Sequence, residues 1–549
     1  MLRNVLEDYL SSIKERDLDF PLSSLLQAMR FYDIHFTHGG VEFGKDFIAK
    51  RVDDGVEYQY AIQSKKGDIN QALWRNEVRG QLEEAVVSDL SHPQFSTDLP
   101  RKAILVTTGR LSGNARLASQ EFKTKLKAEN RIHEVLFWEH EQLAQFAEEF
   151  GFAGIHQNTA TGITDFAQFY LTYGKALAGT LSEREIEEFS RLWLTETINV
   201  RQRILRASIE AEIIATKLIE KGHVYEAITT YLSLSRLVMM VTYEADDPFV
   251  LDILNEITRT KLYPLSRLFC NEFRSRWDAE NKSLLRLCFK ESPLPMVNYL
   301  VWCARVLEIG ALYAFVTKDD QERQEAIALL SDFALNEEGC GHIPGDRYAV
   351  SVAWATLALL IEGKDDIAIH LIKCAAIWLC DRVEKGFGIG RYESDAYEET
   401  VVLLGYPFDA VKVERNRCSF LATMLVDLAA FIGEKKLYAD LVNDFEACEI
   451  VYNYWQFPNT ASIFTIDNRE CMNYPNIPHK YSLDDEFDHF NYAEHIKHEP
   501  DSFAICSKAG ARSLILTSLL LRDRYFPKMW SSVLGEAVRE RQAAAVALG

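Results

Sequence analysis

The sequence predicts a multidomain α+β/α chain: an N-terminal α/β domain, a mixed sheet flanked by helices, followed by a large all-α array. Three observations predict it. Between residues 20 and 150, short β-branched and aromatic runs alternate with amphipathic stretches of helical period. Beyond about residue 160 only the helical period persists. The 549 residues also exceed what one core fills, at roughly 150 residues per domain. The expected boundaries are 1–155 for the α/β domain and 160–549 for the helical region.

Each element follows from its own residues. PLSSLLQAMRFY (21–32) spaces its apolar side chains as one face of a helix. DIHF, DFIAKR (46–51) and YQYAIQSKK (58–66) read as three strands separated by turns at THGG and VDDG. INQALWRNEVRGQLEEAVVSDL (69–90) is a long amphipathic helix, RKAILVTTG (101–109) a buried strand, and NARLASQEFKTKLKAE (114–129) a helix. IHEVLFWE (132–139) and HEQLAQFAEEF (140–150) close the domain as strand and helix. A meander followed by helical crossovers implies antiparallel and parallel strands in one sheet, with helices on both faces.

In the helical region, 204–241, 348–380 and 418–450 each read as two apolar helices joined by a turn at Gly222, Gly363 or Gly433. The first has a faint tetratricopeptide flavour in Gly222, Tyr225, Ala227 and Tyr231. Spacings of 141 and 70 between the three glycines give no fixed period, so the array is irregular. Residues 453–500, rich in aromatics and prolines, read as a loop-rich interruption.

Composition narrows the function classes. The net charge is −21, and residues 1–150 hold 19 of the 60 Lys and Arg against 24 of the 81 Asp and Glu, a balance of −5 that leaves −16 for the rest. No bulk basic field exists to hold nucleic acid, so such binding needs a local patch or a partner. All ten cysteines lie beyond residue 269 without a CxxC pair, which fits free core thiols in a reducing compartment. The longest nearly uncharged run, Tyr348–Ile361, falls short of the roughly 20 apolar residues that span a bilayer, and the N-terminus is too polar for a signal peptide. The expectation is a cytoplasmic protein with no membrane partner.

The sharpest local signal is GVEFGKDFIA (40–49) followed by QSKKG (63–67). An acid at the head of one strand and QxK on the next bring Asp46, Gln63 and Lys65 together, because residues two apart on a strand share a face. A carboxylate, an amide oxygen and an amine are the parts phosphodiester hydrolysis needs: hard oxygen donors for a divalent cation, and an ammonium for developing charge.

These residues resemble the PD-(D/E)XK nuclease superfamily, in the Mrr-like restriction-endonuclease branch that carries glutamine in place of the second acid. The likeness rests on EFGKDFIA…YAIQSKKG, with support in ILVTTGRLSGNAR and VLFWEHEQL, and covers about the first 150 residues. It implies a restriction-endonuclease-like fold with Asp46, Gln63 and the Ser64 backbone carbonyl as ligands of Mg²⁺ or Mn²⁺, and Lys65 as the catalytic lysine. Glu42 is one more acid, either reaching the metal or facing water.

Lys66, Arg75, Arg79, Arg110 and Arg116 are the candidate phosphate contacts, with backbone amides near Gly109 and Gly113 adding anion affinity. The alternative is an ordinary surface of mixed charge. His489, His495 and His498 match no zinc spacing, and Gly386–Gly390 reads as a helix-ending turn, not a phosphate loop. The expected function is a Mg²⁺-dependent endonuclease acting on double-stranded DNA, with the helical region binding a protein partner or activator. Nuclease plus helical module resembles bacterial anti-phage defence nucleases, and a double-strand break with one site per chain favours a homo-oligomer. The competing expectation is a helical scaffold or adaptor carrying an inactive nuclease-like domain that binds nucleic acid without cutting.

Overall fold

A computed structural model of the chain describes residues 2–13, 18–37, 46–87, 95–96, 98–129, 132–151, 160–194, 200–244, 248–291, 295–385 and 417–456, with Gly535 and short strands at 470–474, 480–481 and 490–491. Two compact units form: Met1–Ala178 with Leu192–Lys217, and Gly179–Arg191 with Leu218–Gly549.

The first unit is built on a five-stranded sheet. Helices α1 (Leu2–Ser12) and α2 (Asp19–Ala28) precede strands β1 (Tyr32–Phe36), β2 (Phe47–Asp53) and β3 (Val56–Lys65). Helix α3 follows in three stretches, Gln71–Leu73, a π-helical turn Trp74–Val78, and Arg79–Val87. Then come β4 (Arg101–Thr107), α4 (Asn114–Ala128), β5 (Glu134–Trp138) and α5 (His140–Phe146). Strand order is β1-β2-β3-β4-β5, antiparallel through β3 and parallel from β3 to β5. The mixed sheet expected from the meander-then-crossover pattern is therefore present, and α1 is an element that the sequence reading passed over.

Local chemistry explains the register. Asp53 pairs with Val56 across Asp54-Gly55, whose φ values of 51° and 81° match the two left-handed positions of a tight hairpin turn that Asp-Gly supplies at least cost. Asn70 starts α3 by accepting hydrogen bonds from the Ala72 and Leu73 amides, both at 3.0 Å. Trp74, Val78, Leu82 and Val86 then pack with Ala103 and Leu105 of β4 and Phe122 and Leu126 of α4, covering one face of the sheet. On the opposite face Trp138 meets Phe146 edge-on at 5.1 Å, and Phe31 meets Tyr60 at 4.8 Å.

The second unit is mainly helical. Ala349–Ile361 turns into Asp365–Glu384 at Gly363 (φ 69°), and Phe420–Ile432 into Lys435–Ala447 at Gly433 (φ 77°), as the glycine-punctuated hairpins require. The region also holds strands that its helical periodicity did not announce. Cys418–Ser419 pairs parallel with Val451–Gln456, which pairs antiparallel with Glu470–Tyr474. Thus part of the 453–500 stretch is sheet, and the cause is legible in hindsight: VYNYWQ (451–456) carries the aromatic and β-branched residues that suit a pleated surface.

One helix, Asn298–Val316, is long and apolar enough to cross a bilayer by length and composition, and two-thirds of it is buried inside the protein. Its charged residues are partnered. Arg305 pairs with Glu226 at 3.0 Å, and Glu308 accepts hydrogen bonds from Tyr225 at 3.0 Å and Ser351 at 2.7 Å. These are the contacts of a core helix. Cys270, Cys288, Cys303, Cys340, Cys374, Cys380, Cys418 and Cys448 are all free thiols.

Candidate active site

Register brings the expected trio to the end of the β2–β3 hairpin. Phe47 lies opposite Ile62, so Asp46, one residue before β2, stands level with Gln63, and its amide donates to the Ile62 carbonyl at 2.9 Å. Gln63 and Lys65 alternate onto the same face, beside Leu105 and Thr107 of β4. That is the face covered by α3.

The side chains then diverge in what they hold. One carboxylate oxygen of Asp46 accepts both the Ser64 amide at 2.6 Å and the Ser64 hydroxyl at 3.0 Å. Gln63 is 4% exposed; its Nε2 donates a long 3.4 Å bond to the Ser64 carbonyl, and its Oε1 is buried with no hydrogen-bond partner. Lys65 is 9% exposed and its Nζ donates to Glu77 Oε1 at 2.8 Å. Asp46 is thus tied to the Gln63–Lys65 pair through Ser64, the residue between them in the chain.

A hard divalent cation fits this donor set in kind. A buried amide oxygen with no hydrogen bond to accept is a costly orphan, and the same strand end also carries the Asp46 carboxylate and the Ser64 carbonyl, the oxygen types that Mg²⁺ takes. The set is sparse in charge: among the described residues no group of three or more His, Cys, Asp or Glu is placed to hold a metal. Glu42, His489, His495, His498 and Gly386–Gly390 lie outside the described residues.

The loops after β3 and β4 are zipped against each other and fix the floor beneath the pair. Thr107 Oγ1 donates to the Gly67 carbonyl at 2.6 Å, the Gly67 amide donates to Thr108 Oγ1 at 2.9 Å, and the Arg110 amide donates to Asp68 at 2.8 Å. Gly109 is forced by packing: a Cβ there would stand 2.2 Å from the Gly67 carbonyl carbon and 2.4 Å from the Asp68 nitrogen. The VTTG segment therefore supports the QSKKG strand directly.

Of the expected phosphate contacts, Lys66 and Arg75 are exposed, and Arg79 lies 3.9 Å from Glu83. Arg110 and Arg116 are committed elsewhere. Arg110 pairs with Glu141 at 2.7 Å and Arg116 with Glu139 at 2.9 Å, so carboxylates at the start of α5 offset the two charges that the sequence offered to phosphate. Gly113 caps α4 without a side-chain bond.

Two features went unread in the sequence. Glu77, an acid between Arg75 and Arg79 on an exposed helix, reads as a solvated surface residue, yet it reaches the buried lysine. Asp53 lies at the other end of β2, bonded by Arg51 Nε and Lys102 Nζ, each at 2.5 Å, and by the Tyr60 hydroxyl. Burial acts to raise its pKa, but those donors prevail and hold the carboxyl down at about 2. No protein-family model, no curated protein and no solved structure matches this chain.

Proposed function

We propose that the first unit is a metal-dependent phosphodiesterase of the PD-(D/E)XK kind, cutting double-stranded DNA. The observation that carries the reading is the conjunction, at one strand end, of a buried and unpartnered amide oxygen on Gln63, a carboxylate on Asp46 and a nearly buried ammonium on Lys65. In this reading Asp46, Gln63 Oε1 and the Ser64 carbonyl hold Mg²⁺ or Mn²⁺. When bound, such an ion supplies a polarised phosphate and a water of lowered pKa.

The chain's own residues do the remainder. Lys65 keeps an ammonium beside the reacting group, where low water access strengthens its field on developing negative charge. Gln63 orients its oxygen because its Nε2 is anchored on the Ser64 carbonyl. Asp46 is aimed by the two Ser64 donors. The helical second unit serves as the recognition or regulatory part, and a cytoplasmic role in anti-phage defence belongs to the same proposal, by architecture alone.

Purified protein with Mg²⁺ or Mn²⁺ should nick or cut duplex DNA, whereas Asp46→Ala and Lys65→Ala should not. Equal cutting by both variants would remove the site assignment.

A second reading has its own support. Asp46 and Lys65 each already hold a protein partner, Ser64 and Glu77, as in a structural motif that has lost its chemistry. The chain would then be a helical scaffold with an inactive nuclease-like domain. Calorimetric titration with Mn²⁺ separates the two: heat that disappears in Asp46→Ala supports the enzyme, and none in the parent supports the scaffold.

A further inference from the structure

Lys65 is the least expected residue to find fixed in place. A lysine has four rotatable bonds and gives up much side-chain entropy when held, so a nearly buried lysine needs a partner that offsets the loss. Here a partner comes from α3. The helix is anchored by Trp74 and Val78, which are 1% and 0% exposed in the core between sheet and helices. Between those anchors the helix widens into a π-helical turn, in which the Arg79 amide bonds back to the Trp74 carbonyl. Such turns recur where a helix must re-aim a side chain at a functional site. Glu77 lies within this turn, and its carboxylate accepts from Lys65 Nζ at 2.8 Å. The two ends differ in setting: the lysine side chain is 11% exposed and the glutamate 45%. The pair is thus a tether between a nearly buried ammonium and a carboxylate open to solvent.

We propose that Glu77 is the positioning residue of the site, a carboxylate delivered by the π-turn that holds the Lys65 ammonium beside Gln63. Its purpose rests on the phosphodiesterase reading; its geometry does not. Gln63 has taken the place of a second acid, so the site keeps one carboxylate on its strands, and the glutamate on the covering helix supplies the anion that stops the lysine from swinging out to solvent.

The test uses the full chain and two readouts. In the first, metal-free protein is treated at fixed pH with an amine-acylating reagent, and modification of Lys65 is compared with that of Lys66 by mass spectrometry. Glu77→Gln, which keeps size and removes the charge, should raise Lys65 acylation several-fold and leave Lys66 unchanged, while Glu77→Asp should fall between it and the parent. In the second, Mg²⁺-dependent cleavage is followed kinetically: kcat should drop roughly 10- to 100-fold in Glu77→Gln, the scale on which misplacing a catalytic group acts, with KM little changed. Unchanged acylation overturns the tether. Raised acylation with undiminished kcat in an active parent overturns the positioning role. Raised acylation in the variant, together with a parent that does not cut, upholds the tether and removes the phosphodiesterase reading instead. Circular dichroism of each variant, matching the parent, confirms that the substitution has left the chain folded.

Discussion

The Asp53 cluster gives the sharpest quantitative expectation, and it holds whatever the chain does. Asp53 ends β2 with 16% of its side chain exposed, between Arg51, Lys102 and Tyr60. Burial pushes its pKa up, while the hydrogen bonds from Arg51, Lys102 and Tyr60 bring it from the ordinary 3.8 to about 2. A folded-state value below the unfolded one means that the unfolded chain binds more protons between pH 4 and 2. The stabilisation is therefore complete above about pH 4 and is lost as pH falls through 2. A gap of nearly two pK units corresponds to about 2.5 kcal/mol. Asp53→Asn should remove that amount near neutrality, and more if Lys102, whose side chain is 10% exposed, is left facing an uncharged amide. Hydrogen exchange with mass spectrometry on the full chain, corrected for intrinsic rates and read over the β2–β3 peptides, reports it locally. The parent should lose protection by about 20-fold between pH 4 and 2, most of the roughly 60-fold total that this energy represents, with the remainder lost below pH 2. The variant should start lower and show a flatter profile. A variant with the parent's slope would falsify the assignment of the acid limb to this carboxylate.

Two other expectations concern structure. Gly109→Ala drives a methyl into the Gly67–Asp68 backbone, 2.2 and 2.4 Å away, so the zipped loops must part. A loss of about 3 kcal/mol or more is expected, seen as a lowered melting temperature and as faster exchange in the QSKKG peptide. His342 stacks on Trp378 at 4.4 Å; burial foremost, with Arg382 nearby, lowers its pKa from 6.5 to about 4. The unfolded chain binds the extra proton across that window, so stability is complete above pH 6.5 and declines by up to about 3 kcal/mol toward pH 4. His342→Phe keeps the stack and should abolish this decline, checked by exchange in peptides around residue 342 at pH 7 and 4.5.

What was legible in the sequence was whatever depends on periodicity and turn chemistry. The strand runs YQYAIQSKK and RKAILVTTG, the Asp-Gly hairpin and the helix between them each state their element locally, and together they dictate a meander and a crossover. The pairing of Asp46 with the Gln63 level follows from register, which the same alternation sets. What stayed hidden depends on the third dimension. The Lys65–Glu77 bond spans 12 residues and a π-turn, and no residue pattern announces where a helix will widen. The carboxylates that occupy Arg110 and Arg116 stand at the start of α5, 31 and 23 residues further along, brought back only by the sheet. The strand at 451–456 was missed because a short aromatic run after long helices carries too few residues to break the prevailing period.

Those two occupied arginines set the electrostatics of any DNA complex, and the consequence can be measured. Each phosphate neutralised by a lysine or arginine releases counterions and adds about −0.9 to the slope of log K against log salt on duplex DNA. If Lys66, Arg75, Arg79, Arg110 and Arg116 all served, the slope would approach about −4.5. With Arg110 and Arg116 held by Glu141 and Glu139, Lys66, Arg75 and Arg79, the last only loosely paired with Glu83 at 3.9 Å, are left, and the slope should be no steeper than about −2.7. A short fluorescent duplex, titrated by anisotropy in Ca²⁺ to prevent cutting, gives the slope over a series of salt concentrations. Glu139→Gln keeps the capping geometry of α5 but releases Arg116, so it should steepen the slope by about one cation's worth. A parent slope near −4.5 would mean that DNA strips both arginines from their carboxylates, and the sheet's far edge would then belong to the binding face. A slope near zero in a chain of net charge −21 would mean that the first unit does not hold duplex DNA by itself, leaving recognition to the helical unit or to a partner.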